Sequence, residues 1–265
     1  MDWFDIGVNL SNGRVAIEPI IARASAVGVN TIMLTGTSVS ESQKALDLCL
    51  IHANSLYSTA GVHPHYAQDV SDDFIEQLRQ IASHKQVVAI GECGLDFNRN
   101  FSSKADQLKV FEQQLVLAVE CKKPVFLHER EAFAEQIHLL RKYRGSLVGG
   151  VVHCFTGNLE QMQAYLALDL YIGITGWVCD SKRGQDLQEA VKHLPLDRLL
   201  LETDSPYLRP KGLPNNRKVD RGSNEPAYLP FIAEQLANIM EHELDVVQAH
   251  SVANGRTLFG VLGEC

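Results

Sequence analysis

Four histidines and several carboxylates stand where short apolar runs stop. Val87–Gly91 runs into Glu92, Val125–Leu127 into His128, Gly150–Val152 into His153, and Tyr57–Gly61 into His63-Pro64-His65. Leu199–Leu201 ends in Glu202-Thr203-Asp204, and Trp3–Val8 ends in Asn9. Imidazole and carboxylate together are ligand types for Zn2+, Mn2+ or Mg2+, the choice depending on geometry and supply. One histidine at a strand end is usually a structural residue. Several metal-competent residues at equivalent ends are different: if the strands are parallel and closed into a barrel, all of them meet at one mouth. The plainer alternative is a polar mouth of hydrogen-bonded residues with no metal. Cys93 and Cys154 directly follow Glu92 and His153. Because side chains alternate along a strand, both are expected to turn away into the core.

The elements that must position these residues are legible as a rhythm. The apolar runs Trp3–Val8, Thr31–Leu34, Tyr57–Gly61, Val87–Gly91, Val125–Leu127, Gly150–Val152, Tyr171–Ile174 and Leu199–Leu201 are aliphatic and bounded by Gly, Pro or polar residues. Parallel strands buried on both faces look like this. Amphipathic segments lie between them, at 15–27, 40–52, 71–83, 104–121, 131–143, 159–168, 185–193 and 229–240, with an extra C-terminal helix at 244–253. Ser40-Glu41-Ser42-Gln43 has the spacing of a capping box. Eight strands each followed by a helix predict an α/β protein, a single-domain (β/α)8 TIM barrel over residues 1–265, with active-site residues at the C-terminal strand ends. The competing open doubly wound sheet lacks a Gly-rich fingerprint after its first strand.

Composition narrows the function. The chain has 265 residues, 45% hydrophobic and 21% charged, which suits one folded barrel rather than disorder. Its net charge of -8 argues against a long grip on duplex DNA, which needs a basic excess. A nucleic-acid footprint here is expected to be short, with metal supplying positive charge. Six scattered cysteines without a C-x-x-C pair read as reduced thiols. The start, Met1-Asp2-Trp3-Phe4-Asp5, shows no signal peptide, and no run approaches the roughly 20 apolar residues of a membrane span. A cytoplasmic monomer with no membrane contact and no obligate protein partner is the expectation.

Ala89-Ile90-Gly91-Glu92-Cys93-Gly94-Leu95-Asp96, Pro124-Val125-Phe126-Leu127-His128, His153-Cys154-Phe155-Thr156-Gly157 and Glu202-Thr203-Asp204-Ser205-Pro206-Tyr207 resemble the signature blocks of the TatD family of metal-dependent deoxyribonucleases. Gly61-Val62-His63-Pro64-His65 and Asn224-Glu225-Pro226 fit its pattern too, in register from the first strand to near residue 226. The resemblance implies a metal-dependent hydrolase barrel related to the amidohydrolases and nuclease activity. By matching motifs it implies that Glu92, His128 and His153 are metal ligands, with Asp204 the strand-eight aspartate. One departure matters. Most of the family opens with Asp-x-His-x-His, whereas this chain reads Asp5-Ile6-Gly7-Val8-Asn9. The TatD-proper branch shares that replacement. Resemblance to it implies a Mg2+-dependent 3′-5′ exonuclease on single-stranded DNA and RNA, with a role in repair of oxidative DNA damage. Physically, a second metal is left with Glu92 and Asp204, with the Asn9 amide as a further candidate ligand. That oxygen-rich, weak site favours Mg2+ over tightly held Zn2+, and a two-metal clamp would assemble only when substrate phosphate supplies the missing ligands.

On this footing Asp204 is the expected general base, and His63, His65 and Arg130 are expected phosphate contacts. Arg130 has a competing place in a surface ion pair with Glu131 or Glu135. Arg209, Lys211, Arg217, Lys218 and Arg221 make the long loop 205–226 locally basic, a possible funnel for a single strand. Phe97, Phe101, Trp177 and Tyr207 are candidate base-stacking rings, Trp177 the foremost. Two rival functions share the same residues: a metal-dependent hydrolase of an amide, lactone or aminoacyl ester, and a non-enzymatic binding module on a decayed site.

Overall fold

Each apolar run becomes a parallel strand, and each strand pairs with the next one in the chain. The computed structural model describes residues 2–10, 16–215 and 223–261. The strands are β1 (Trp3–Val8), β2 (Val29–Leu34), β3 (Leu56–Ala60), β4 (Val87–Asp96), β5 (Val125–Arg130), β6 (Gly150–Val152), β7 (Tyr171–Ile174) and β8 (Leu199–Leu201), in one eight-stranded sheet of order β1 to β8. The helices between them are α1 (Ile17–Ala26), α2 (Val39–Ile51), α3 (Phe74–Ala82), α4 (Lys104–Cys121), α5 (Phe133–Tyr143), α6 (Leu159–Leu166), α7 (Gln185–Val191), α8 (Leu229–Met240) and α9 (Leu244–Phe259). This is the expected (β/α)8 barrel. It closes through the residues after β8: Asp204 N–H donates to Gly7 O at 2.8 Å and Asn9 N–H to Ser205 O at 2.7 Å. The strand-eight aspartate is thus built into the seam with β1.

Two local expectations are corrected. The cap of α2 is Ser38, whose hydroxyl accepts from Glu41 N at 3.1 Å, rather than a box starting at Ser40. A reciprocal capping box forms instead at α6, between Asn158 and Gln161. The fourth strand also does not stop at Gly91 but runs to Asp96, which puts Glu92 inside β4. Gly91 and Gly94 permit this: their φ values are +145° and +139°, and added Cβ atoms would lie 2.2 Å from Phe126 O and 2.0 Å from His128 O. Backbone that close to its neighbour has room only for glycine. As a result β4 and β5 travel together into the mouth, with Gly94 opposite His128 and Asp96 opposite Arg130.

The barrel is filled below the site. Phe4, Ile6, Met33, Val88, Ala89, Phe126, Val151 and Leu200 form one apolar cluster with Val252 and Phe259 of α9. A second, larger cluster joins the outer strand faces to the helices. Gly255 lets α9 approach, since a Cβ there would lie 2.8 Å from the Phe4 ring. The polar residues at the strand ends therefore rest on a packed floor and open only upward. No helix among the described residues is long and apolar enough to cross a membrane.

Candidate metal centre

Glu92 is the hub. Its Oε1 lies 2.8 Å from His153 Nε2, 2.9 Å from His128 Nδ1 and 3.4 Å from His63 Nε2. The strand ends thus bring Glu92, His128 and His153 together, and they add His63, read from sequence as a phosphate contact. Among the described residues the donor atoms that lie within 4.8 Å of one another belong to His63, Glu92 and His128; His153, expected from the motifs to share the ion, is outside that group and meets it only through Glu92 at 2.8 Å. Glu92 and His128 lie within the C-terminal halves of β4 and β5, and His63 and His153 follow the ends of the flanking strands β3 and β6. Their donor chemistry fits a divalent cation. His128 Nε2, on the far side of the ring from Glu92, is buried and has only the Asp96 carboxylate near it, at 3.6 Å.

The electrostatics follow from this crowding. Burial alone would raise the Glu92 carboxyl, but the neighbouring His63, His153 and His128 hold it well below the usual range. Burial works against the charge on His153, yet Glu92 and Glu202 lift it well above an ordinary imidazole. His63 goes the other way: burial, with the other imidazoles, lowers it to about 3 despite Glu92, leaving a neutral ring. A neutral imidazole is the ligand form. Phe126 stacks beneath His153 with centroids 4.4 Å apart and fixes the ring plane.

Asp204 stands across the mouth in a left-handed backbone, φ 54°. Asn9 Nδ2 donates to its Oδ1 at 2.8 Å. Burial, reinforced by Glu202 and Glu92 and opposed by His153 and Asn9, raises its carboxyl to about 7. Asn9, standing where the family's second histidine belongs, is therefore a partner of Asp204.

Three carboxylates carry roles that reading strand ends did not reveal. Glu202 is fully buried; its Oε2 lies 3.2 Å from His153 Nδ1, and its Oε1 accepts from Cys154 N–H. It fills the space above Gly7, where a Cβ would lie 2.1 Å from Glu202 Oε2. Asp96 Oδ2 lies 2.7 Å from His65 Nε2 and 3.6 Å from His128 Nε2. Asp5 binds Thr203, accepting from its N–H at 2.9 Å and its hydroxyl at 2.6 Å, and so holds the segment between Glu202 and Asp204. The signal for Asp96 was its even spacing from Glu92 within β4, which puts the two on one face of the strand; neither Glu202, past the end of β8, nor Asp5 had such a signal.

Other expectations come out unevenly. His65 is tied to Asp96, and Arg130 is exposed at the end of β5 with no ion pair to Glu131 or Glu135 among the described contacts. Cys93 is buried as expected. Cys154 is not a core residue: β6 stops at Val152, so alternation no longer applies, and the cysteine sits partly exposed with φ 46°. Burial, with Asp204 and Glu202 nearby, keeps its thiol well above the usual range, hence protonated. The five described cysteines are all free. Phe97 is buried with Lys104 Nζ 4.2 Å over its ring, and Arg183 covers Trp177 at 4.5 Å, so neither is an open base platform. Arg217, Lys218 and Arg221 of the basic loop lie outside the described residues.

Comparison with known proteins adds to this geometry. Residues 4–260 match the family model described as TatD related DNase. The chain is 47% identical over 263 residues to the 3′-5′ ssDNA/RNA exonuclease TatD of Erwinia amylovora, spanning 97% of this chain and 100% of that one. It is 46% identical over 264 residues to the protein of the same name from Salmonella typhimurium, spanning 98% and 99%. Among solved structures, YJJV, a TatD homolog from Escherichia coli K12, superposes with a TM-score of 0.88 at 28% identity over 98% of both chains. A TatD family hydrolase from Entamoeba histolytica gives 0.85 at 27% identity, over 97% of this chain and 98% of that one.

Proposed function

The chain belongs to the TatD-related DNase family, and from that premise we propose that it is a divalent-metal-dependent 3′-5′ exonuclease of single-stranded DNA and RNA, working in the cytoplasm as a monomer. The observation that carries this reading is Glu92 Oε1 held among the ring nitrogens of His63, His128 and His153, with Asp204 facing them across one mouth.

Glu92, His128 and His153, with His63 beside them, are the residues that would hold the cation, and Mg2+ is the ion we favour. A divalent ion there supplies Lewis-acid polarisation of the scissile phosphate and lowers the pKa of nearby water. The chain's own residues do the rest. Asp204, raised to about 7, is poised to take a proton from the attacking water near neutral pH. Asn9 fixes the carboxylate orientation from one side and leaves Oδ2 for that proton. His65, oriented by Asp96, and Arg130, exposed and without an ion pair among the described residues, would donate to phosphate oxygens. Glu202 holds His153 at Nδ1 and so keeps Nε2 turned to Glu92. The water oxygen bonds to phosphorus as Asp204 takes its proton, the bond to the 3′ oxygen breaks, that oxygen takes a proton from solvent to become the new 3′ hydroxyl of the shortened strand, and a nucleoside 5′-monophosphate is released.

The test uses purified protein and a 5′-labelled single-stranded oligonucleotide. With Mg2+, the label should appear on a ladder shortening from the 3′ end. A chelator should stop this, and added Mg2+ should restore it. His128→Ala and Asp204→Asn should each lose at least about a hundredfold in rate, the scale of a lost acid–base group. Undiminished cleavage in both variants, or esterase or amidase turnover without phosphodiesterase turnover, overturns the reading.

A further inference from the structure

We propose that Tyr66 and Phe101 form a base platform beside the donor cluster, and that stacking of unpaired terminal bases on it makes the site select single strands. The proposal rests on the exonuclease reading above and names what recognises the substrate's bases.

Exposure picks these residues out. Among the described residues the exposed aromatic side chains are Tyr66 at 48%, Phe101 at 58% and Tyr207 at 59%. All three sit on segments that follow the C-terminal ends of strands, after β3, β4 and β8. The barrel's outer helices and its lower end carry none. Exposed apolar rings gathered on one face of a molecule mark a contact surface rather than chance.

Connection to the chemistry picks out two of the three. Tyr66, His63, His65 and Phe101 form a chain of rings. Centroid separations along it are 6.4 Å, 4.2 Å and 4.8 Å, and every contact is edge-on. The inner rings are the ones bound to carboxylates, His63 to Glu92 at 3.4 Å and His65 to Asp96 at 2.7 Å. The outer rings face solvent. A base on either outer ring would therefore lie next to the group that meets its own phosphate.

Both outer rings are also held in place. Tyr66 belongs to a 3-10 turn, Pro64–Asp69, and its N–H donates to His63 O at 2.9 Å. The loop bearing Phe101 is stapled to that turn: Ser102 Oγ donates to His65 O at 3.0 Å and accepts from Gln68 N–H at 3.1 Å. Asp96 Oδ1 accepts from the N–H groups of Asn98 and Arg99 at 3.0 Å and 2.8 Å, closing the other end of the loop. Apolar rings whose backbone is tied down by partly buried polar bonds are pre-organised to bind flat apolar faces. Nucleobases have such faces, and stacking on aromatic side chains tolerates every base. In a duplex the terminal base is stacked on its neighbour and paired to its partner, so it must be freed from both, at a cost in stacking and pairing energy, before it can lie on a ring, whereas an unpaired end can use the platform directly.

The experiment measures kcat and KM on a single-stranded oligonucleotide and on its twin with abasic 3′-terminal positions. The proteins are wild type, Tyr66→Ala, Phe101→Ala and Phe101→Trp, with melting temperatures as a check on folding. Loss of ground-state stacking raises KM and leaves kcat. Each alanine variant should raise KM about 5- to 100-fold on the normal strand, with kcat within about twofold, and Phe101→Trp should stay near wild type. On the abasic strand the alanine variants should add little to the loss wild type already shows. With chelator present, 2-aminopurine at the 3′ end should be quenched by wild type and much less by Phe101→Ala. If wild type cleaves but KM is unchanged in both alanine variants, or rises equally on both strands, the platform is overturned and the exonuclease reading survives; a protein-docking role for the rings is then left in its place. If wild type cleaves no nucleic acid with any divalent ion, both fall together.

Discussion

Asp204 shows how a single residue is tuned by its neighbours. Burial and the negative charges of Glu202 and Glu92 raise its carboxyl to about 7, while His153 and Asn9 act in the opposite direction. A general base works in its deprotonated form, so kcat/KM should climb with pH and level off above about 7. A cation at the donor cluster stabilises the ionised form and can only move that limb down. Asn9→Ala removes a donor to the ionised carboxylate, so Asp204 rises and the acid limb shifts to higher pH. A pH–rate series on the two proteins measures this, and identical limbs would remove Asp204 from the role of base. Where most of the family has a histidine, Asn9 instead donates from its amide to Asp204, at 2.8 Å.

At the scale of elements, the site depends on how closely β4, β5, β1 and β8 approach one another. Gly94 has φ +139°, and a Cβ there would lie 2.0 Å from the His128 carbonyl oxygen. Backbone strain and overpacking against another strand should make Gly94→Ala cost about 3 kcal/mol, read by urea denaturation. Gly7 is the informative contrast. A Cβ there meets a side-chain atom, Glu202 Oε2 at 2.1 Å, and a side chain can move where backbone cannot. Gly7→Ala should therefore cost about 1–2 kcal/mol in stability. Displacing Glu202 also frees His153 Nδ1, which should lower metal affinity or activity about 10- to 100-fold. Equal stability losses in the two variants, with activity retained in Gly7→Ala, would contradict this account of the slot.

For the whole molecule, charge sets the footprint. The net charge is -8, which offers no overall attraction to a long strand, so a short footprint is expected. Contact with two or three phosphates gives a plot of log KM against log salt with a slope of about 1.5 to 2 in magnitude, at about 0.7 per phosphate for a single strand. A slope near 5 would require a long basic groove. Barrel topology accounts for the concentration of function at one end: α9 seals the bottom with Val252 and Phe259, and every donor discussed lies at the other end.

The sequence alone determined the eight strands, their alternation with helices and the set of residues at their ends. Each of these is written locally, in apolar runs a few residues long and in the polar residue that stops them. It also carried Glu92, His128, His153 and Asp204, because parallel strands bring equivalent ends together whatever the details of packing. Only the tertiary structure decided which of these groups touch. His63 joins Glu92 through strand neighbours that are distant in the chain, and β4 carries Asp96 into the mouth because Gly91 and Gly94 let it run on beside β5. Asn9 meets Asp204 across 195 residues of chain, where the barrel closes. Contacts of that kind depend on strand register and burial, which are properties of the closed sheet and of no single segment.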